Sequence, residues 1–391
     1  MTDQRRDWRA QSRLSDLDTT ILTKGTIPED GVYFRAPGVS RSLRSFPVGG
    51  PVNCHQDSFK NVDAFSKKVP TRLRVPIECR RWEVPYDDYE PESYIAESVL
   101  RNCRNRNPDG YADPEPGIDV MDPRYTKLFK PFNPIWLRGL SRNHLGLYLH
   151  PYGRVGITGQ GVLGNRQINE AIDPVTTYLD ETTGEVYVLL IKRIARSTKD
   201  TTWAVPGGMV DFKPENNSYS IPKALLNIYN EFKMSVSKEM QDSDNTLCKE
   251  ALRELKEETG FNSHVTYQKL IAQMYCDDSR TTDTTWIGTT VFLLVPLECQ
   301  DVKPDGVETA QALWVPFKEA LTYEFYASHR SIVTTAVRYY VTNSFRDRGI
   351  SGSEEHCQAY EYLQSVMELD LPQNFESVVK VGCGNGSCVL S

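Results

Sequence analysis

EALRELKEETGF, residues 250–261, sets Glu250, Glu254, Glu257 and Glu258 on a short stretch that stops at Gly260. In a helix those spacings stack all four carboxylates on one face. Like charges that close repel, so the arrangement costs stability unless a cation sits among them. Leu252 and Leu255 point roughly the other way and would anchor the reverse face in a core. Gly260 suits the position just past a helix C-terminus, where the left-handed conformation comes easily to glycine. A solvated surface helix is the alternative reading of so acidic a stretch, and the rest of the chain has to decide between the two.

Composition sets bounds on that decision. The chain has 391 residues, enough for two domains or for one large domain with extensions, and 39% of them are hydrophobic. A net charge of −7 gives no general attraction to nucleic acid or anionic lipid, so no nucleic-acid partner is expected. Nine cysteines without a CxxC pair fit free thiols better than a disulfide framework or a zinc site. No apolar run reaches the roughly 18 residues of a membrane span. The start, MTDQRRDWRAQSRLSDLD, lacks the apolar stretch of a secretory signal, and the expected location is cytoplasmic; the chain is separately expected to be a monomer. Its arginines leave a mitochondrial presequence as the alternative, against which Asp3, Asp7, Asp16 and Asp18 argue. The last residues, Cys388-Val389-Leu390-Ser391, fit a C-a-a-X prenylation pattern, with Cys383 upstream as a second acylation position. One prenyl group on Cys388 would give only weak membrane association.

Along the chain, residues 1–70 show little periodicity and read as mostly disordered. Residues 71–155, with Trp82, Tyr86, Tyr89 and Tyr94 and the helical-looking PESYIAESVL, read as a small N-terminal cap domain. GRVGITGQGVLG, within 143–173, predicts tight turns passing close to other backbone. TTYLDETTGEVYVLLIKR predicts a hairpin whose second strand is buried. TWAVPGGMVDF predicts strand, turn and strand, and residues 220–258 are helical in character, ending in the acidic stripe. HVTYQKLIAQMY, TWIGTTVFLLVP and ALWVPF predict further strands, with helices after them. This order gives an α/β/α sandwich with a mixed sheet over 156–345, followed by a C-terminal extension, 346–391, with one helix.

Residues 253–261, RELKEETGF, fill every specified position of REUxEExGU, the C-terminal half of the Nudix signature, and the chain thereby resembles the Nudix hydrolases. WAVPGG, 203–208, is similar to the strand and turn that lead into the family's metal loop. Two departures stand out. The acid expected six residues after Gly208 falls on Pro214, with Glu215 one place late. The gap from Glu215 to Arg253 is also far longer than the pattern, so residues 216–247 read as an insertion looping out before the helix. Further stretches, among them CDDSRTTDTTW (276–286) and YASH (326–329), resemble mitochondrial-type ADP-ribose pyrophosphatases. They also resemble the homologous module of ADP-ribose-gated melastatin-type TRP channels.

The resemblance implies Mg²⁺-dependent hydrolysis of ADP-ribose to AMP and ribose 5-phosphate, with Mn²⁺ as a substitute. Mg²⁺ prefers hard oxygen ligands, and a few carboxylates on a rigid helix supply them. By the family pattern Glu254 and Glu258 are the principal ligands, Glu257 a third, and the backbone at Gly208 completes the shell, while Arg253 braces the acids. Asp278, Arg280, Tyr326 and His329 are implied to hold the substrate. Glu308 aligns with an acidic loop that positions or deprotonates water in relatives, with Glu254 and Glu257 as alternative bases. Two other readings stay open. One is a sensor module that binds ADP-ribose without cleaving it. The other is a Nudix hydrolase of a different nucleoside diphosphate derivative.

Overall fold

Strand β5, Glu185–Arg193, is apolar from Val186 to Ile191 and buried at Val186 and from Val188 to Ile191. The computed structural model describes residues 33–34, 70–107, 109–115, 117, 141–143, 147–194, 202–210 and 236–367, with 33–34 and 236–246 as backbone only. In chain order the elements begin with β1 (Tyr33–Phe34), β2 (Ser93–Ile95), α1 (Glu97–Arg101), β3 (Thr158–Gly161) and β4 (Ile168–Asp180), which precede β5. Then come β6 (Trp203–Ala204), β7 (Gly208–Met209), α2 (Val236–Thr259), β8 (Val265–Cys276), β9 (Trp286–Pro296) and β10 (Thr309–Pro316). The last are the helices α3 (Phe317–Ala320), α4 (His329–Tyr339), α5 (Phe345–Asp347) and α6 (Glu354–Met367), with a π turn, Tyr340–Ser344, joining α4 to α5.

The main sheet runs β1-β8-β9-β4-β5-β10. Only β4 and β9 pair in parallel, so the sheet is mixed. Alternation along β5 sends Val188 and Leu190 to one face and Leu189 to the other. On the first face they meet Ile332, Val333, Ala336 and Val337 of α4 and Ala359 and Leu363 of α6. On the second face Leu189, with Ile172, Phe292 and Leu294, meets Ala251 and Leu255 of α2. The fold is therefore an α/β/α sandwich, and the leucines of the acidic helix are what bind it to the sheet.

The β4–β5 hairpin opens as it leaves its turn. Close to the turn the strands pair with each other, Thr177 opposite Val188 and Asp180 opposite Glu185. Farther out β5 pairs with β6, through Ile191 and Ala204, while β4 pairs with β7, through Ile172 and Gly208. The turn at 205–207 is thereby wedged between the two splayed strands, directly beside α2. That wedge is the frame of the candidate site.

The N-terminal residues have a small core of their own, Tyr94, Ala96, Val99, Cys103, Ala112 and Ile157. Here β2 and β3 pair in parallel. Gly156 has φ +82°, and a Cβ there would lie 2.0 Å from the Leu73 carbonyl oxygen, so the glycine is required by close backbone passage.

Three expectations are corrected. PESYIAESVL is strand then helix, because Ser93–Ile95 is taken up by pairing with Thr158–Gly161 before the helix starts at Glu97. The segment 216–247 does not simply loop out. Its last residues, from Val236, belong to α2, where no Gly or Pro interrupts the chain before Thr259. The cysteines are not all free thiols. Cys79, Cys103, Cys248, Cys276 and Cys299 are free, but Cys357 of α6 is disulfide-bonded. Cys383, Cys388 and residues 211–235 lie outside the described residues. Residues 1–70 were expected to be mostly disordered, and apart from Tyr33–Phe34 on the edge of β8 and residue 70 they too lie outside.

Candidate active site

Arg253 is the hub of the acidic helix. Its Nε donates to Glu250 Oε2 at 2.9 Å, Nη1 to Glu257 Oε2 at 2.6 Å and Nη2 to Glu254 Oε1 at 2.5 Å. Burial pulls the guanidinium's pKa down, but the hydrogen bonds it donates to Glu257 and Glu250 and the charge of Glu254 outweigh it, and the net shift is upward. One cation thus offsets part of the repulsion among three carboxylates.

Glu258, the fourth, has a different environment. It is 7% exposed, and its Oε2 accepts a 2.7 Å hydrogen bond from the Gly207 N–H. Burial raises its pKa to about 8. The charges of Glu254 and Glu308 add to the rise, and the Gly207 hydrogen bond and the Arg193 charge oppose it. The helix and the wedged turn are thus joined through this carboxylate. The turn has no slack. Gly207 has φ +146°, and a Cβ there would lie 2.3 Å from the Ile172 carbonyl oxygen. A Cβ on Gly208 would lie 2.9 Å from Glu254 Oε2, which sets the backbone of this turn against the helix acids.

Behind the turn stands Asp173 of β4, 4% exposed, whose Oδ2 accepts a 2.5 Å hydrogen bond from Thr289. Burial raises its pKa to about 7, the Thr289 bond and Arg193 oppose the rise, and Glu254 adds to it. Sequence reasoning passed over this residue. Its signal was an ionisable side chain inside IDPV, a stretch otherwise apolar.

Asp278, Arg280, Tyr326 and His329 come together on the other side of the turn. Asp278 is 1% exposed and takes Arg280 bidentately, Nε at 2.8 Å and Nη2 at 2.9 Å. The Tyr326 hydroxyl donates to its Oδ2 at 2.5 Å. Burial alone would raise the Asp278 pKa, but the charge and hydrogen bonds of Arg280 with the Tyr326 bond hold it at about 2. His329 Nδ1 accepts the Val205 N–H at 3.1 Å, and burial, followed by the Arg193 charge, lowers its pKa to about 3. The ring is neutral, with its proton on Nε2. The turn carrying Tyr326 and His329 is fixed by Tyr326 N–H to the Trp203 carbonyl at 2.8 Å and includes Ala327 at φ +44°, a conformation an L side chain seldom adopts.

Glu308 sits on an exposed loop whose backbone is tied to the Asp305 carboxylate, and its carbonyl accepts the Ile194 N–H at 2.8 Å. Its charge reaches Glu258. Cys388 is outside the described residues.

Glu254, Glu258 and Asp173 offer hard carboxylate oxygens, the donor type a Mg²⁺-like cation takes, and Glu258 has its charge disfavoured by burial and by its acidic neighbours. Among the described residues no three His, Cys, Asp or Glu side chains already form a closed cage, because Glu254 and Glu257 are turned to Arg253. The donors fit such a cation, and ligation would draw Glu254 away from the arginine. A pH dependence follows with divalent ions chelated. Folded Glu258 keeps a proton that the unfolded chain releases, so its contribution is full at pH below the ordinary carboxyl range and is lost as pH rises through about 8. The expected slope is at most about 1.4 kcal/mol per pH unit. Urea denaturation of the chelated protein at stepped pH measures it. Glu258→Gln should flatten the curve, and an unchanged slope in that variant would remove Glu258 as its source.

Residues 75–165 match the family model described as the NUDT9-like N-terminal domain. The chain carries a NUDT9-like N-terminal domain. Over 277 residues it is 28% identical to a transient receptor potential cation channel subfamily M member-like 2 of Nematostella vectensis. That alignment covers 67% of this chain but only 16% of the channel. It is also 28% identical over 275 residues to the mitochondrial ADP-ribose pyrophosphatase of Rattus norvegicus, covering 67% of this chain and 72% of the enzyme. Among solved structures, the NUDIX domain of Shewanella oneidensis NrtR complexed with ADP ribose is 18% identical, with a TM-score of 0.31 over 44% of this chain and 88% of that one. A likeness that loose says nothing of substrate. The chain is also 27% identical over 234 residues to a putative nudix hydrolase 6 of Caenorhabditis elegans, covering 56% of this chain and 72% of that protein. No helix among its described residues is long and apolar enough to cross a membrane.

Proposed function

We propose that the chain hydrolyses ADP-ribose to AMP and ribose 5-phosphate with Mg²⁺, or Mn²⁺ in its place. The observation that carries this reading is a single junction. The Gly207 N–H joins Glu258 of the acidic helix, and the same turn, at Val205, holds His329 beside Tyr326 and Asp278. One turn therefore connects an acid set suited to a cation with a neutral, hydrogen-bonding set suited to a nucleoside.

Glu254 and Glu258, with backbone at Gly208, would hold the cation, and Glu257 would share Arg253 with them. A bound divalent ion neutralises diphosphate charge and lowers the pKa of a water. The protein's own groups do the rest. His329, protonated on Nε2, donates to a phosphate or ribose oxygen. Tyr326, its hydroxyl committed to Asp278, offers its ring for stacking. Asp278 keeps Arg280 at the rim. Glu257 and Glu254 are both engaged by Arg253, which leaves Glu308, unclamped on its exposed loop, as the base that takes the proton of the attacking water. Residues 71–155 would cap this cleft, followed by the hydrolase domain 156–345 and the extension 346–391.

The test is to incubate the purified chain with Mg²⁺ and a panel of ADP-ribose, NADH, a diadenosine polyphosphate and nucleotide sugars, separating the products chromatographically. ADP-ribose should be cleaved with the highest kcat/KM. Preference for another compound would retain the hydrolase and overturn the substrate. Binding of ADP-ribose without turnover would establish the sensor reading, which the arginine-engaged Glu254 and Glu257 favour. From sequence we also propose a monomer, cytoplasmic or mitochondrial, and the C-a-a-X pattern at Cys388 is the feature to test for weak membrane association. An intact mass showing an unmodified C-terminus in eukaryotic cells would dismiss the prenyl group.

A further inference from the structure

Three guanidiniums approach the candidate site, and two are already occupied. Arg253 is filled by Glu250, Glu254 and Glu257. Arg280 has Nε and Nη2 both on Asp278, so the bidentate Nε/Nη2 face that sequence reasoning offered to the substrate is taken. The third is Arg193, the last residue of β5. Strand alternation carries the series Leu189, Ile191, Arg193 along the face on which Leu189 packs with Ala251 and Leu255 of α2. Its backbone is fixed on both edges, opposite Thr309 of β10 and by its N–H to the Thr202 carbonyl at 3.3 Å. The guanidinium lies over the Tyr326 ring, with Cζ 5.0 Å from the centroid. Its charge is felt by Asp173, Glu258 and His329, so it stands between the acid set and the nucleoside set.

Among the described residues this guanidinium makes no hydrogen bond and no ion pair. It is only half exposed, and a partly desolvated cation with its fork empty is an incomplete arrangement. Neighbouring carboxylates do not close it, since Glu258 is bonded to Gly207 and Asp173 to Thr289. A diphosphate matches what is missing, because its oxygens present the spacing a guanidinium fork takes two at a time. From this geometry we infer that Arg193 is the residue that grips the diphosphate of the ligand, placed by Tyr326 between the cation-binding acids and the nucleoside pocket. The inference rests on the nucleotide-binding reading above and adds to it the residue that selects for phosphate.

Calorimetry in chelator separates the two claims, using ADP-ribose, ADP and adenosine as probes with wild type, Arg193→Gln and Arg193→Lys. Arg193→Gln should weaken ADP-ribose and ADP roughly tenfold to hundredfold and leave adenosine unchanged. Arg193→Lys, which keeps the charge without the fork, should fall between. Loss of both diphosphates by less than about twofold, or an equal loss for adenosine, would overturn the assignment, the second result marking Arg193 as structural. Wild type that binds ADP but neither binds nor cleaves ADP-ribose would sink the proposed substrate while the ADP arm still supports Arg193. Wild type that binds neither nucleotide would overturn both.

Discussion

Glu258→Gln is expected to lower kcat for ADP-ribose on the order of a thousandfold, with nucleotide binding retained. Of the four stacked glutamates it is the one that Arg253 does not engage, and it is bonded directly to the turn that places Gly208 against Glu254. The amide fills the same space and can still accept from Gly207, so the fold should stand. Lost is one negative charge at the position where burial and the neighbouring Glu254 and Glu308 most disfavour it, and where a cation would offset the cost. Several kcal/mol of charge stabilisation corresponds to that factor in rate. Single-turnover kinetics with direct binding measurements checks it. A kcat within a few-fold of wild type would remove Glu258 from the metal assignment, whatever the motif suggests.

Asp278→Ala should destabilise the protein by about 3 kcal/mol, toward the lower end of the range for breaking a buried ion pair, because Arg280 keeps 30% of its side-chain exposure. The carboxylate accepts from Arg280 twice through its side chain and once through its backbone, and once from Tyr326. Removing it orphans all of these donors together. Asp278→Ala/Arg280→Met should recover part of the loss, since the unpaired charge leaves with its partner. Urea denaturation of the three proteins measures both steps. A single-variant loss well under about 1 kcal/mol would show that the pair is solvated and not buried as described.

The helix was legible because 3.6-residue periodicity acts locally. Glu254, Glu257 and Glu258 share a face, and Leu255 faces the sheet for the same reason. The β4–β5 hairpin was legible from its turn and its apolar second strand. The opening of that hairpin was not. β6 and β7 are two residues each, and their pairing with different strands is decided by tertiary wedging that no local pattern encodes. Asp173 and Arg193 were overlooked for the same reason, since each looked like a polar interruption at one point in a strand. Their meaning appears only when the wedge brings them beside α2. CDDSR showed that Asp278 and Arg280 belong together. Which of them consumes the other's hydrogen bonds is a matter of geometry, and that result shifts the free cation from Arg280 to Arg193. The helical character of 220–258 was legible, and α2 starts within it at Val236; only the reading of 216–247 as an insertion looping out ran against it.

The most direct test of the acid set as a divalent-ion site is Mn²⁺ titrated into the ADP-ribose-bound protein and followed by electron paramagnetic resonance, in wild type and in Glu258→Gln. Loss of the free-ion signal in wild type, with affinity at least about tenfold weaker in the variant, is the predicted result. A wild-type protein that holds ADP-ribose and leaves Mn²⁺ free in solution would contradict it.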